Sequence, residues 1–122
     1  MRGRWFRAVI CVAVVGAMLA PSSVSAARYR VKATENDEWN PSFRHIEPGG
    51  RIVVIWKNPT NDLHDVKSYG RNWDYYRRLP AGETRKKRFR RKGSFKFRCR
   101  IHSTLRNGQC EGMCGVIHIA PL

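Results

Sequence analysis

The sequence predicts an all-β sandwich, and three observations lead there. Turn-forming residues recur at short intervals, at Asn40-Pro41, Pro48-Gly49-Gly50, Asn58-Pro59, Pro80-Ala81-Gly82, Gly93 and Asn107-Gly108. Glycine and proline supply the backbone angles that reversals need. Between these points lie short segments in which apolar and polar residues alternate or β-branched residues run together, the signature of strands. No segment carries the spacing of a long amphipathic helix, and no internal repeat is visible. Short strands with turns between them are the pattern of a sandwich.

The elements follow in order. Residues 29–33 alternate. Residues 52–56 form a continuous β-branched run, with Ile52, Val54 and Trp56 on one face and Val53 and Ile55 on the other. Residues 68–80 mix Tyr69, Trp73, Tyr75 and Tyr76 with Arg71, Arg77 and Arg78 without a settled period. They read as a long crossover with room for a helical turn, its aromatics packed over a sheet edge. Arg85, Lys86, Lys87, Arg88, Arg90, Arg91 and Lys92 enclose Phe89, and read as a solvated basic strand and hairpin with one inward residue. Residues 94–99 place Phe95, Phe97 and Cys99 on one side and Lys96 and Arg98 on the other. Residues 116–119 close the chain as a last strand.

Ahead of this domain stands a leader. Arg2, Arg4 and Arg7 precede an apolar stretch at residues 8–20, then Pro21-Ser22-Ser23 and the small residues Val24-Ser25-Ala26. That is the pattern of a signal peptide, and the stretch is shorter than the roughly 20 apolar residues of a membrane span. Cleavage is expected near Ala26, or one residue later, which gives a leader at 1–26 and one domain at 27–122. The expected location is secreted or periplasmic, in the cell envelope. Without its three arginines the chain keeps 21 basic residues against 9 acidic ones, a net charge of +12. Such a field says nothing about fold, but favours acidic partners or anionic surfaces and speeds encounter with them.

Cysteine constrains the chemistry further. Removing the leader takes Cys11 and leaves Cys99, Cys110 and Cys114. In an oxidising compartment thiols tend to pair. Three cannot all pair within one chain, so one is a free thiol, an intermolecular bridge or a metal ligand. Cys99 ends an alternating strand, and His102 follows three residues on. His64 stands just after the run at 52–56, and Met113 lies between Gly112 and Cys114. Two imidazoles and a thiolate with a weak axial thioether make a blue-copper electron-transfer site. Thiolate and thioether are soft ligands that suit Cu(I), while imidazole serves both oxidation states.

At Phe95, Phe97, Cys99, His102, Met113, Gly115 and Val116, and at Asn58, His64 and Val66, the chain resembles the cupredoxins, the plastocyanin- and azurin-like small blue-copper proteins. The resemblance spans residues 39–119. It implies a Greek-key β-sandwich with one copper ion under the loops at one end. It also implies His64, Cys99 and His102 as strong ligands, Met113 as the axial one, and Asp65 as the residue that ties the two ligand loops together. Electrons would leave through the solvent-edge His102. The chain departs from the family in the ten residues 103–112 between His102 and Met113, where only a few are usual. The simplest account of that departure is a Cys110–Cys114 disulfide that closes the long loop and pins Met113 over the metal, leaving Cys99 unpaired.

These readings imply an exported copper carrier of single electrons, not an enzyme, since no substrate bond is broken. It would be a monomer with an acidic redox partner, with peripheral contact to an anionic envelope surface and no nucleic acid. Three alternatives stand beside it. One is copper storage or delivery without a redox partner. Another is a basic protein that binds an anionic polymer. The third is structural zinc on Cys99, His102, Cys110 and Cys114. His45 and His118 are expected to be bystanders on strands.

Overall fold

The computed structural model describes residues 11–14, 16 and 26–122. Most of the leader expected at residues 1–26 falls outside that set. The described residues form nine strands: β1 Ala27–Ala33, β2 Trp39–Asn40, β3 Phe43–Ile46, β4 Ile52–Lys57, β5 His64–Tyr69, β6 Tyr76–Leu79, β7 Thr84–Phe89, β8 Gly93–Arg106 and β9 Gln109–Ile119. They build two sheets, ordered β2-β1-β4-β7 and β3-β9-β8-β5-β6. The chain passes from one sheet to the other at β2–β3, β3–β4, β4–β5, β6–β7 and β7–β8, the over-and-across connections of a Greek-key sandwich. Strands β1 and β4 run parallel, as do β3 and β9, while the other pairs are antiparallel.

The expected alternation fills the space between the sheets. Val31, Val54, Trp56, Val66, Leu79, Phe97, Ile117 and Ile119 are buried there. Trp56 stacks on Tyr75 at 5.5 Å between ring centroids and meets Phe97 edge-on at 5.3 Å. Phe97 in turn meets Trp39 edge-on at 5.6 Å. Edge-to-face pairs of this kind add to the gain from burial alone. Gly115, paired with Phe97 across β8 and β9, leaves room for that ring. A Cβ at residue 115 would collide with the Phe97 ring.

Three expectations are corrected. Residues 68–80 hold neither a crossover nor a helical turn: they reverse into β6, which pairs with β5 in the same sheet. The aromatic residues without a strand period still pack inward, with Tyr75 buried and Trp73 against the core. The basic run forms a strand but not a hairpin. Its partner is β4, with Phe89 opposite Ile52, and the chain then changes sheets to enter β8. Phe89 and Phe95 face each other across the sandwich at 4.8 Å, because the short connection between them spans the two sheets.

The third correction matters most for the site. Residues 103–112 are no open loop. They extend β8 and β9 past the domain end as a hairpin, from Ser103↔Gly112 to Arg106↔Gln109. Asn107 and Gly108 turn it with φ of 50° and 75°. Positive φ at both central residues is what a two-residue turn needs to match strand twist, and Asn-Gly adopts it at little cost. Cys110 and Cys114 are joined, with 6.1 Å between their Cα atoms.

Candidate metal centre

The β8–β9 ladder breaks once. Arg98 pairs with Cys114 and Ser103 pairs with Gly112, so residues 99–102 stand opposite Met113 alone. Four residues against one force an outward bulge, and that bulge carries Cys99 and His102. Gly112 makes it sterically possible: its φ is 100°, and a Cβ there would strike the His102 carbonyl. Ser103 ties the bulge down, its hydroxyl donating to the Cys99 carbonyl at 2.5 Å while Arg98 donates to the same hydroxyl at 3.1 Å.

His64 enters from the other side, as the first residue of β5 after the turn that leaves β4. Its setting is built by Asn58. The Asn58 amide nitrogen donates to the carbonyls of Asp62 and Leu79 at 2.7 and 2.9 Å, and its oxygen accepts from the Thr60 amide at 3.0 Å. That oxygen also takes the Thr60 hydroxyl proton, at 2.6 Å. The hydroxyl has then spent its one hydrogen and faces His64 Nε2, 3.2 Å away, as an acceptor. Nε2 therefore carries the ring proton, and Nδ1 is left with its lone pair pointing at Cys99.

Cys99 Sγ lies 3.7 Å from His64 Nδ1 and 3.7 Å from His102 Nδ1. All three atoms fall within 4.8 Å of one another. Ligands at bond lengths of about 2.0–2.3 Å in a trigonal plane stand roughly 3.6 Å apart, so the spacing fits one ion. The donor set fits copper, being two imidazoles and a thiolate. Met113 is fully buried on β9 opposite the bulge.

Asp65 joins the segments that carry His64 and Cys99. Its amide donates to Cys99 Sγ at 3.4 Å, and its carboxylate accepts from the Arg100 amide at 2.7 Å and from Arg100 Nε at 3.1 Å. Burial pushes the Cys99 thiol above its ordinary pKa, and backbone N–H groups of Asp65, Ile101 and His102 offset this only in part. Burial, then the nearby His102, holds His64 below the usual imidazole range. A neutral imidazole is the form that ligates, and a metal would displace the thiol proton.

Cys110 and Cys114 are spent in their disulfide, so the four-residue zinc set with Cys99 and His102 is not available. His45 and His118 lie elsewhere, with 5.7 Å between their ring centroids, and Ser94 holds His118 at 2.7 Å. The basic run lies along β4 in the other sheet, from Arg85 opposite Trp56 to Phe89 opposite Ile52, the end of β4 away from His64. Three residues that touch the candidate ligands escaped the sequence reading: Ser103, Thr60 and Asp37. Thr60 sits in an Asn-Pro-Thr turn whose side chains could have hinted at a polar network. Asp37, 3.5 Å from His102 Nε2, gave no local sign.

No family model matches the chain, and no curated protein matches it in sequence. Solved structures do match. A purple cupredoxin from Nitrosopumilus maritimus is 17% identical, with a TM-score of 0.56, over 75% of this chain and 99% of that one. The reduced auracyanin of the photosynthetic bacterium Roseiflexus castenholzii is 19% identical, with a TM-score of 0.57, over 80% of this chain and 100% of the other. A copper-containing nitrite reductase from Thermus scotoductus is 20% identical, with a TM-score of 0.60, over 81% of this chain but 24% of that enzyme. At this level of identity the likeness speaks for architecture, and the architecture of this chain is the cupredoxin fold.

Proposed function

We propose that the chain is an exported one-electron carrier in which His64, Cys99 and His102 would hold a single copper ion, with the Met113 thioether as the fourth donor. One observation carries this reading: a buried, unpaired cysteine sulfur flanked by two imidazole Nδ1 atoms at 3.7 Å each. When bound, copper supplies a one-electron couple that soft and borderline ligands together support in both states. The protein fixes the ligands before the ion arrives, through Asn58, Thr60, Asp65 and Ser103. His64, Cys99 and Met113 are fully buried and only His102 reaches the surface, an arrangement that suits electron transfer over turnover of a substrate. The fold is compatible with both uses, since the matching chains include a nitrite reductase.

His102 is the ligand nearest solvent, with 23% of its side chain exposed. Exposed apolar residues stand beside the ligands in sequence: Leu63 next to His64, Ile101 next to His102, and Leu105 on the hairpin. They offer a dry contact for a redox partner. The excess positive charge favours an acidic one, steered from a distance by the run from Arg85 to Lys92. Residues 1–26 are read as a cleaved signal peptide, and the Cys110–Cys114 bridge agrees with an oxidising destination.

Titration with Cu(II) tests the proposal. One equivalent should produce an intense visible band from thiolate-to-copper charge transfer, absent in Cys99→Ser and bleached reversibly by a mild reductant. A colourless wild-type protein ends the reading. A band that resists reduction and reoxidation supports copper storage instead.

A further inference from the structure

Of the two imidazoles at the site, the buried one has its outer nitrogen held by Thr60. The outer nitrogen of the other, His102 Nε2, faces Asp37 Oδ1 at 3.5 Å. We propose that Asp37 is the positioning residue for His102: its carboxylate accepts a hydrogen bond from the Nε2–H of the metal-bound ring, holds the ring on copper and lowers the reduction potential. This rests on the copper reading above.

Three features of the chain support it. Asp37 Oδ1 is a buried acceptor with no hydrogen-bond partner, although the Asp37 side chain as a whole is 42% exposed. A buried polar atom left without a partner is uncommon and marks an interaction still to be completed. Next, the direction of the ring is set. His102 Nδ1 points at Cys99 Sγ, 3.7 Å away, so a ring bound through Nδ1 must carry its hydrogen on Nε2, the atom beside Asp37. At 3.5 Å the pair lies within ion-pair range without hydrogen-bond alignment, and a small rotation of the ring completes the bond.

Lastly, the turn between β1 and β2 is shaped to present that carboxylate. Asp37 sits at φ 53°, a left-handed conformation that Asp and Asn tolerate better than most residues. The turn is closed by the Asp37 amide donating to the Thr34 carbonyl at 3.1 Å and the Thr34 amide donating to the Glu38 carbonyl at 2.9 Å. The Glu38 amide also donates to the Thr34 hydroxyl at 3.3 Å.

The consequences follow from ligand chemistry. A carboxylate on the outer N–H of a ligating histidine fixes its orientation and makes its inner nitrogen a stronger donor, and losing such a partner typically costs 10–100-fold in metal affinity. The negative charge and the stronger donor both favour the more highly charged ion, so Cu(II) gains more than Cu(I). Asp37 also places an acidic group at the solvent edge of the one ligand that reaches the surface, on a protein otherwise strongly basic.

The test compares wild type, Asp37→Asn and Asp37→Gly, each loaded with copper and shown to have the visible band. Asparagine keeps an acceptor and the turn but removes the charge, whereas glycine keeps the turn and removes both. Two quantities are read: the reduction potential, and the exchange of the His102 Nε2 proton by NMR in the Cu(I) form. The potential should rise from wild type to Asn to Gly. In Asp37→Gly, a tenfold loss of preference for Cu(II) over Cu(I) corresponds to about 59 mV. Nε2–H exchange should be slow in wild type and at least tenfold faster in Asp37→Gly. Equal potentials and equal exchange in copper-loaded variants overturn the role of Asp37 and leave the copper site standing. A wild-type protein that takes up no copper overturns both.

Discussion

Thr60 shows how one hydroxyl can decide what a histidine does. Because its proton goes to Asn58, it can only accept from His64, and this leaves the His64 Nδ1 lone pair aimed at Cys99. Thr60→Val, nearly the same shape, should fold but bind Cu(II) 10–100-fold more weakly, the usual cost of losing an outer partner on a ligating histidine. Competition with a chelator of known affinity measures this, and unchanged affinity would mean the tautomer is set elsewhere. Asp65 is the second decisive residue. Asp65→Ala strips the Arg100 amide of its acceptor and should cost the metal-free protein about 1–3 kcal/mol in urea unfolding. Tyr75, together with Tyr69, contributes to alkaline stability. Burial raises its pKa above the phenol range, against the smaller opposing pull of Arg77 and Arg85. The unfolded chain therefore ionises this phenol first, and stability falls as pH rises through that range. Tyr75→Phe should flatten that limb of a Tm–pH profile while the other groups still titrate. At this scale the sequence was most legible for groups within a few residues of their partners. Cys99 and His102 share one bulge, so spacing exposed them. Asp37 meets His102 only because two distant turns share one end of the sandwich, and no local pattern carries that.

Among the elements, the bulge in β8 and the hairpin beyond it define the site. The alternation of Phe95, Phe97 and Cys99 announced the strand. The continuation to Arg106 was hidden, because the polar and basic residues past His102 do not read as a buried strand. Asn107-Gly108 was visible as a turn, but what it joined depended on pairing across the bulge. Hairpin and disulfide contribute separately. Replacing Cys110 and Cys114 by serine removes a short closed loop worth about 2 kcal/mol in chain entropy, and the Asn-Gly turn still sets the register. The double variant should therefore melt earlier yet keep its visible copper band. Loss of the band would mean that the bridge, and not the ladder, holds Met113 in place. Gly112→Ala should do the reverse: its Cβ displaces the His102 carbonyl and with it the ligand. Copper affinity should drop far more than thermal stability.

Across the whole molecule, the five-stranded sheet carries every candidate ligand, on its neighbouring strands β5, β8 and β9, and the β1–β2 turn of the other sheet closes in alongside. The sandwich was legible from turn spacing and alternation. Which strand paired with which was not, because partners such as β4 and β7 lie far apart in the chain, Ile52 opposite Phe89, and neither segment carries a local sign of the other. The charge distribution belongs to this scale too. Exchanging Lys86, Arg88 and Arg90 for glutamine should slow association with an acidic redox partner about tenfold at low salt. The difference should vanish at high ionic strength, where screening removes long-range steering, and the visible band should not change. A partner whose rate ignores both charge and salt would limit recognition to the apolar residues near His102. The account as a whole depends on one sulfur bonding one metal ion. X-ray absorption at the copper edge of the loaded protein tests this most directly. One short copper–sulfur bond with two nitrogen neighbours, the sulfur lost in Cys99→Ser, is the expected result. A copper shell of nitrogen and oxygen alone, the same in both proteins, would contradict it.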